Sequence, residues 1–354
     1  MRKSIAMAGA VAWVCLTAGC SKEKKADNPA PAESASQASP SSTAEKNKVE
    51  PATAPSADAP VMASGRAVKA EMRNVLFHLT DGGAAKLETV SGELWPTGKN
   101  ELVIFDDKTS FEMHVANGTI SILPEALADV MNRHVFAKKD APLKDISIAI
   151  KDNQLIIKGK LHSKGDVPFE TAGTLSAEPD GRIRVKTEKV KALHLPVKGV
   201  MGLFGIELAN VVNTSKIAGI DTDKNDLLMD LGELLPPPHI RGKVSAVRLS
   251  GNALVTTFGD GGKTANSGGS KQAGNYMQFE GNRVQFGKLM MEKTDLTLID
   301  LDPGDPLDWN QDHYKEQLVE GYSKIKENFG LQTYVKDYAK LKRDSARATS
   351  PSGN

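Results

Sequence analysis

Cysteine is nearly missing from this chain of 354 residues, and the two it has, Cys15 and Cys20, both fall within the first twenty positions. The rest of the chain therefore has no thiol to pair, to ligate a metal or to attack a substrate, which removes disulfides, cysteine zinc sites and thiolate catalysis. A body without cross-links is held by its core alone, and a chain of this length can supply one. An excess of one charge is missing too, since 45 Lys and Arg face 44 Asp and Glu. Nucleic-acid binders carry a basic surplus, so DNA and RNA are not expected partners. There is no Gly-x-Ser-x-Gly elbow, no Walker-type phosphate loop and no His-Glu-x-x-His pair. The seven histidines (His78, His114, His134, His162, His194, His239 and His313) are dispersed singly, which suits packing or surface roles. Neither a cofactor, nor a metal, nor an enzymatic activity is expected.

An apolar run from Ile5 to Ala18 follows Met1-Arg2-Lys3 and is too short to span a bilayer. Together with Leu16-Thr17-Ala18-Gly19-Cys20 it resembles a bacterial lipoprotein export signal, although Thr17 stands where that family most often has Leu. The resemblance implies export, cleavage before Cys20 and acyl chains such as palmitate on Cys20. The remaining chain would then be tied to a membrane on its periplasmic or extracellular side. Two or more chains anchor stably because each buried CH₂ contributes about 0.8 kcal/mol. An ordinary cleaved signal peptide and an uncleaved anchor are the alternatives. Ser21 after Cys20 is similar to lipoproteins sent to the outer membrane in Gram-negative bacteria.

From Ser21 to Pro60 the chain is rich in Ser, Ala, Pro, Glu and Lys, has no aromatic, and offers Val49 as its one large apolar residue. Such a stretch cannot bury enough surface to offset its ordering entropy, so residues 21–65 are expected to be a disordered tether. About 40 flexible residues have an r.m.s. span of roughly 35 Å and a stretched reach of about 140 Å. The folded body is expected over residues 66–342. Within it, 260–274 is a Gly-, Ser- and Asn-rich loop, and 343–354 is a disordered tail.

In the body, apolar residues alternate. Phe111, Met113 and Val115 share one face, Asn117-Gly118 gives a hairpin signal, and Ile120 and Ile122 follow. The pattern recurs as Ile146 to Ile150, Asp152-Asn153 and Leu155 to Ile157, then as Phe169 to Ala177, Pro179-Asp180-Gly181 and Ile183 to Val185. It returns as Val244 to Leu249, Gly251-Asn252 and Leu254 to Phe258, and finally as Tyr276 to Phe279, Gly281-Asn282 and Val284 to Phe286. Strands joined by tight turns predict an antiparallel sheet with one wet face. Trp95-Pro96 and Leu234 to Pro238 read as rigid breaks at strand ends.

Three segments have helical spacing instead. Pro124 opens the first, to Phe136, with Leu127, Val130, Met131 and Val135 on one face. The third, Gln311 to Phe329, aligns Tyr314, Leu318, Tyr322, Ile325 and Phe329. The second, Val197 to Val212, is apolar on more than one face and carries Gly199, Gly202 and Gly205. Each helical glycine costs about 1 kcal/mol relative to alanine, which calls for compensation. Close packing on a sheet is one; a ligand groove lined by Val200, Met201, Leu203, Phe204, Ile206 and Leu208 is the other. Asp221 to Asp226 starts like a calcium loop, but Asp226 and Gly232 stand where that loop needs Gly and Glu, so a polar turn is expected. The acids from Asp300 to Asp308 are expected to cap turns.

Pro196-Val197-Lys198-Gly199 through Gly205, Leu234 through Gly242, Asn275-Tyr276-Met277 through Leu289, and Ile299 through Ser323 resemble an uncharacterised family of bacterial envelope lipoproteins. That resemblance spans roughly Val75 to Tyr338 and brings no established activity. The order of elements is more weakly similar to the tubular lipid-binding (BPI-like) superfamily, whose members hold acyl chains inside a curved sheet. The expected fold is thus α+β, a long curved antiparallel sheet of hairpins wrapped around two or three amphipathic helices. The expected role is non-catalytic binding of a lipid or other amphipathic ligand; an envelope assembly protein with a protein partner is the alternative.

Overall fold

Alternation that begins at Val68 becomes strand in the computed structural model, which describes residues 66–99, 101–162, 166–187, 191–192, 217–224, 226–261 and 274–341. The first strands are β1 (Val68–His78), β2 (Ala84–Pro96), β3 (Val103–Ile104) and β4 (Phe111–Ile122). Helix α1 (Pro124–Val130) precedes β5 (Leu143–Lys151), β6 (Gln154–His162), β7 (Asp166–Ala177), β8 (Ile183–Thr187) and β9 (Lys191–Ala192). There follow β10 (Ile220–Asp223), β11 (Asp226–Met229), a single helical turn α2 (Leu231–Leu234), β12 (His239–Arg241), β13 (Val244–Ser250) and β14 (Ala253–Phe258). The last group is β15 (Tyr276–Gly281), β16 (Val284–Phe286), β17 (Leu289–Met291), β18 (Thr294–Asp300), β19 (Leu307–Trp309), helix α3 (Tyr314–Val319), β20 (Tyr322–Ile325) and β21 (Leu331–Val335).

Among the described residues the strands form three sheets. The largest runs β13-β14-β4-β2-β1-β15-β18-β21-β20, with β12 beside β4 and β19 beside β1. A second runs β10-β11-β8-β7-β6-β5, with β9 beside β7, and β17-β16-β3 form a small third. Most pairs are antiparallel, but β19 on β1, β12 on β4, β21 on β18 and β16 on β3 are parallel.

A crease crosses the large sheet, and it is visible in which residues are buried. In β1 the buried positions are Val68, Ala70 and Met72, then Val75, a change of parity at Asn74, whose φ is 50°. Asn tolerates this left-handed region better than most residues. In β2, Leu94 and Val90 give way to Leu87 and Ala85, and Glu88 is the extra residue opposite β4. In β4, Val115 gives way to Gly118, and Ala116 is the extra residue opposite β2. Bulges of this kind bend a strand and increase its twist. Asn74 and Glu88 lie side by side, and Ala116 lies three residues further along, opposite Ser91 and Gly92, so neighbouring strands change parity close together.

Asn117-Gly118 therefore lies inside one continuous strand rather than in a hairpin turn. Neither residue has the positive φ that a two-residue hairpin turn requires. Gly118 is needed for a different reason, since a Cβ there would lie 2.8 Å from the Thr89 carbonyl oxygen. The Tyr276 to Phe286 hairpin does not form either. Both edges of β15 are taken, by β1 and β18, so β16 pairs elsewhere. The remaining hairpins form as expected: Asp152 and Asn153 have φ of 51° and 57°, Gly181 and Gly251 have positive φ, and Asp221 to Asp226 lies in the β10–β11 hairpin.

The α+β expectation is overturned, because strands dominate and the helices are too short to fill a sheet. Among the described residues α1 has 7 residues, α2 has 4 and α3 has 6. Helix α1 begins at Pro124 as expected and runs on into a π-helical turn, Met131–Val135. Leu127, Val130 and Met131 are buried, and Asn132 locks the turn to β5 through 2.7 and 2.8 Å hydrogen bonds with the backbone of Ile146. The third helix stops at Val319. A Cβ at Gly321 would lie 1.9 Å from the Tyr334 carbonyl oxygen, so the chain is pressed onto β21 and becomes β20. Tyr322, Ile325 and Phe329 are consequently exposed instead of sharing a helix stripe. Val197 to Val212 lies outside the described residues, as do residues 1–65, 262–273 and 342–354.

Aromatic side chains join the large sheet to the small one. Phe105 meets Phe111, Phe279 and Phe286, and Phe286 meets Trp309 and Tyr314. Gln317, fully buried, staples this region: its amide nitrogen donates to the carbonyls of Asp308 and Lys336, and its oxygen accepts from Asn310 N. Buried polar groups that are all paired fix a unique arrangement without the penalty of an orphan.

Candidate ligand cavity

The buried face of the sheet on either side of the crease borders a cavity of about 80 Å³. Its sheet wall is Met72 and Phe77 of β1, Ala85, Leu87 and Val90 of β2, Met113, Val115, Ile120 and Ile122 of β4, and Leu254, Thr256 and Phe258 of β14. These are the inward residues on either side of the parity change. The facing wall is Leu127 of α1, Met229, and the stretch from Leu231 through Ile240. Among the lining side chains only His78, Lys108, Thr256 and Gln311 are polar.

The facing wall is fixed in place by polar contacts that the cavity does not see. Asp230 caps α2 by accepting from Gly232 N at 2.8 Å, and its own N–H donates to the Gly219 carbonyl. Gly219 has φ 75° and a Cβ there would lie 2.6 Å from Leu234 N, so only glycine lets the chain approach α2 so closely. Arg241 donates to Glu112 at 2.9 Å and to Glu233 at 2.5 Å, tying β12 to β4 and to α2. This guanidinium holds the Glu112 carboxyl below its usual range.

The polar lining residues other than Thr256 gather around the end of β19. Phe77 of β1 pairs with Trp309, so His78 follows directly. His78 Nε2 lies 2.7 Å from Asp308 Oδ1, and the ring edge meets Tyr338. Gln311 donates to the Phe105 carbonyl, and Lys108 Nζ pairs with Asp312 at 2.5 Å. Thr256 donates to the Ile120 carbonyl. No hydroxyl is hydrogen-bonded to His78 among the described residues, so the His78–Asp308 pair lacks the neighbour that a nucleophile–base pair requires.

Asp300, Asp302 and Asp305 place one oxygen each within 4.8 Å of the others. Lys340 stands over them: its Nζ contacts Asp302, lies 3.6 Å from Asp305 and donates to Asp337 at 2.8 Å. Asp300 also caps a turn, accepting from Asp302 N and from Asn275 Nδ2. Burial pushes Asp300 up to about 6 and raises Asp337, whereas Lys340 holds Asp302 down. Lys340 brings a positive charge to these acids, and the Asp300 cap agrees with their reading as turn residues.

The other described histidines are not part of the cavity lining, although His239 lies near His134 and Glu112, and His313 shares Tyr338 with His78. His162 pairs with Asp166 and His114 lies 3.5 Å from Glu112, both more exposed than the His78 pair, while His313 stacks on Tyr338. His134, pushed down by burial, has no role in the cavity. Cys20, the groove residues Val200, Met201, Leu203, Phe204, Ile206 and Leu208, and Gly199, Gly202 and Gly205 all lie outside the described residues. The cavity is thus built by strand residues that were read from the sequence only as a sheet face. Among the described residues no helix is long and apolar enough to cross a membrane. No family model, curated protein or solved structure matches the chain.

Proposed function

We propose that this protein is a membrane-anchored extracytoplasmic lipoprotein that takes the apolar end of a lipid or other amphipathic molecule into the cavity beneath the crease, without covalent chemistry. The observation that carries the reading is a nearly uniformly apolar lining that collects three of its four polar side chains at one end. An amphiphile has the same division. Sites for small ligands are typically apolar with a few placed polar groups. About 80 Å³ accepts a short stretch of hydrocarbon, and Met72, Met113 and Met229 in the walls are unbranched and give way to a longer one. A buried chain of about eight carbons contributes roughly 6 kcal/mol gross, and the cost of immobilising it leaves affinities in the micromolar range or weaker.

Mass spectrometry of protein extracted gently from membranes should show co-purifying lipid, and the purified chain should take up the neutral fluorophore N-phenyl-1-naphthylamine. A clean apo species with no uptake refutes the reading. The exposed edge strand β20, with Tyr322 and Ile325 facing solvent and Phe329 beyond it, supports the second reading, an envelope assembly protein that receives an extended segment of another protein along that edge. Cross-linking in intact cells that captures one dominant protein partner, together with absence of lipid, would favour it.

A further inference from the structure

We infer that the tip of the β20–β21 hairpin is a second membrane contact, in which Phe329 enters the surface of the bilayer that holds the anchor and so fixes which end of the body faces it. The inference rests on the membrane-anchored reading and goes beyond it, because a tether alone leaves every orientation open.

Phe329 is 92% exposed, more than any other large apolar side chain among the described residues. Its φ is 63°, in the left-handed region that a bulky residue rarely occupies. The ring thus adds no burial to the fold and sits on a strained backbone, a combination that suits a side chain presented for contact. The turn that presents it is tied down. Lys326 N donates to the Gly330 carbonyl at 2.7 Å, Phe329 N to the Lys326 carbonyl at 3.0 Å, and Gly330 N to Asn328 Oδ1 at 3.1 Å. Asn328 Nδ2 and Lys326 Nζ both donate to Asp295 of β18, and Lys326 Nζ also donates to Thr297. Ile325, 75% exposed, lies beside the turn.

The place where the chain enters the body supplies the occupant. Arg66 opens the body, its carbonyl accepting from Asn282 at 3.1 Å and its side chain pairing with Glu101, and the expected 21–65 tether joins it there. In register, Val68 of β1 stands beside Gly281 of β15, and Gly281 stands beside Thr294 of β18, next to the Asp295 that holds the turn. Three strand spacings, about 14 Å, separate β1 from β21. The tether and the exposed ring therefore leave the sheet at the same end. A bilayer holding Cys20 is within reach of that end through a tether whose r.m.s. span is roughly 35 Å. One phenyl ring and one isoleucine would hold a free protein only weakly. With the anchor in the same bilayer the contact becomes intramolecular, at an effective concentration on the order of millimolar.

The other end of the sheet provides a control. Phe77 of β1 leads through Ala85 of β2 and Ile122 of β4 to Leu254 of β14, so the β13–β14 turn at Asn252 lies at the end opposite Val68.

The test uses the absence of cysteine after Cys20, since in the acylated chain an introduced cysteine is the one free thiol. Full acylated chain carrying Glu327→Cys, labelled with the fluorophore NBD, is placed in vesicles of phosphatidylethanolamine and phosphatidylglycerol, with or without lipid spin-labelled near the head of its acyl chain. Emission should shift to the blue and be quenched about twofold by the spin label, whereas NBD at Asn252→Cys should be unchanged. Adding Phe329→Gly, which suits the turn's φ, should abolish the quenching at position 327 and leave Tm the same or higher. Equal emission at the two positions in protein that floats with the vesicles, or quenching that survives Phe329→Gly, overturns the contact and leaves the anchor in place. A tip that ignores lipid but cross-links to one dominant protein in intact cells overturns it in favour of the assembly reading. A chain recovered without acyl groups that does not float with vesicles overturns the anchor and this inference together.

Discussion

Replacing Ala85 with leucine decides whether the cavity is usable space. Ala85 is 5% exposed, lines the cavity and sits between Phe77 on β1 and Ile122 on β4. The change adds three carbons. If they enter a void of about 80 Å³, they are removed from water without forcing neighbours apart. At about 0.8 kcal/mol per buried carbon the ceiling is roughly 2.4 kcal/mol, and loss of leucine rotamer freedom reduces it to about 1–2 kcal/mol. If the walls are in contact instead, the same carbons overpack the sheet and cost about 1–3 kcal/mol. The two cases differ in sign. For a body of this size 1 kcal/mol corresponds to roughly 2–4 °C, so Ala85→Leu should raise Tm by a few degrees. Urea titration should show a higher midpoint with an unchanged slope, and uptake of N-phenyl-1-naphthylamine should fall at least fivefold. A variant destabilised by more than about 1 kcal/mol, with uptake unchanged, would refute the reasoning.

Asp300 makes stability depend on pH in a stated direction. Its folded pKa of about 6 lies above the ordinary 3.8, so the native state holds the proton more tightly and stability falls as pH rises from about 4 to about 6. The loss is on the order of 2 kcal/mol, with Asp337 adding in the same sense, and Asp300→Asn should flatten that slope in melts at pH 5 and 7. A wild-type Tm that rises over this interval by as much as the variant's would contradict it. Arg241→Ala should cost about 1 kcal/mol at pH 7 by freeing α2 and β12 from β4. Glu112 is held below its ordinary 4.5, so that deficit is present above pH about 4.5 and disappears as pH falls through the folded value. Equal deficits at pH 7 and pH 3 in urea titrations would show that the carboxylate is not involved. Cys20→Ser should abolish acylation and move the protein from the membrane pellet to the soluble fraction. Intact mass and fractionation read it directly, and an unchanged mass with unchanged pelleting would refute the lipid anchor.

What could be read from the sequence was local. Asp152-Asn153 and Gly251 announce turns because the positive φ they adopt is a property of those residues, and Pro124 announces a helix start for the same kind of reason. Asn117-Gly118 misled because a bulge and a hairpin share one local signature: alternation, an interruption, alternation in the other parity. Only the partner strand distinguishes them, and β2 supplies it through the Thr89 carbonyl that crowds Gly118. Likewise Tyr322, Ile325 and Phe329 have helical spacing, yet Gly321 against Tyr334 turns the chain into an edge strand. The cavity is the extreme case, because no single strand encodes it. It exists where Asn74 falls beside Glu88 and Ala116 bulges three residues further along, opposite Ser91 and Gly92, and that arrangement is a fact of register, not of any one segment. His78 reads as a lone packing histidine for the same reason: the carboxylate it pairs with is 230 positions away. Only once β19 lies along β1 do His78 and Asp308 meet, so the polar end of the cavity is a consequence of one short parallel pairing, Val75 to Phe77 against Leu307 to Trp309.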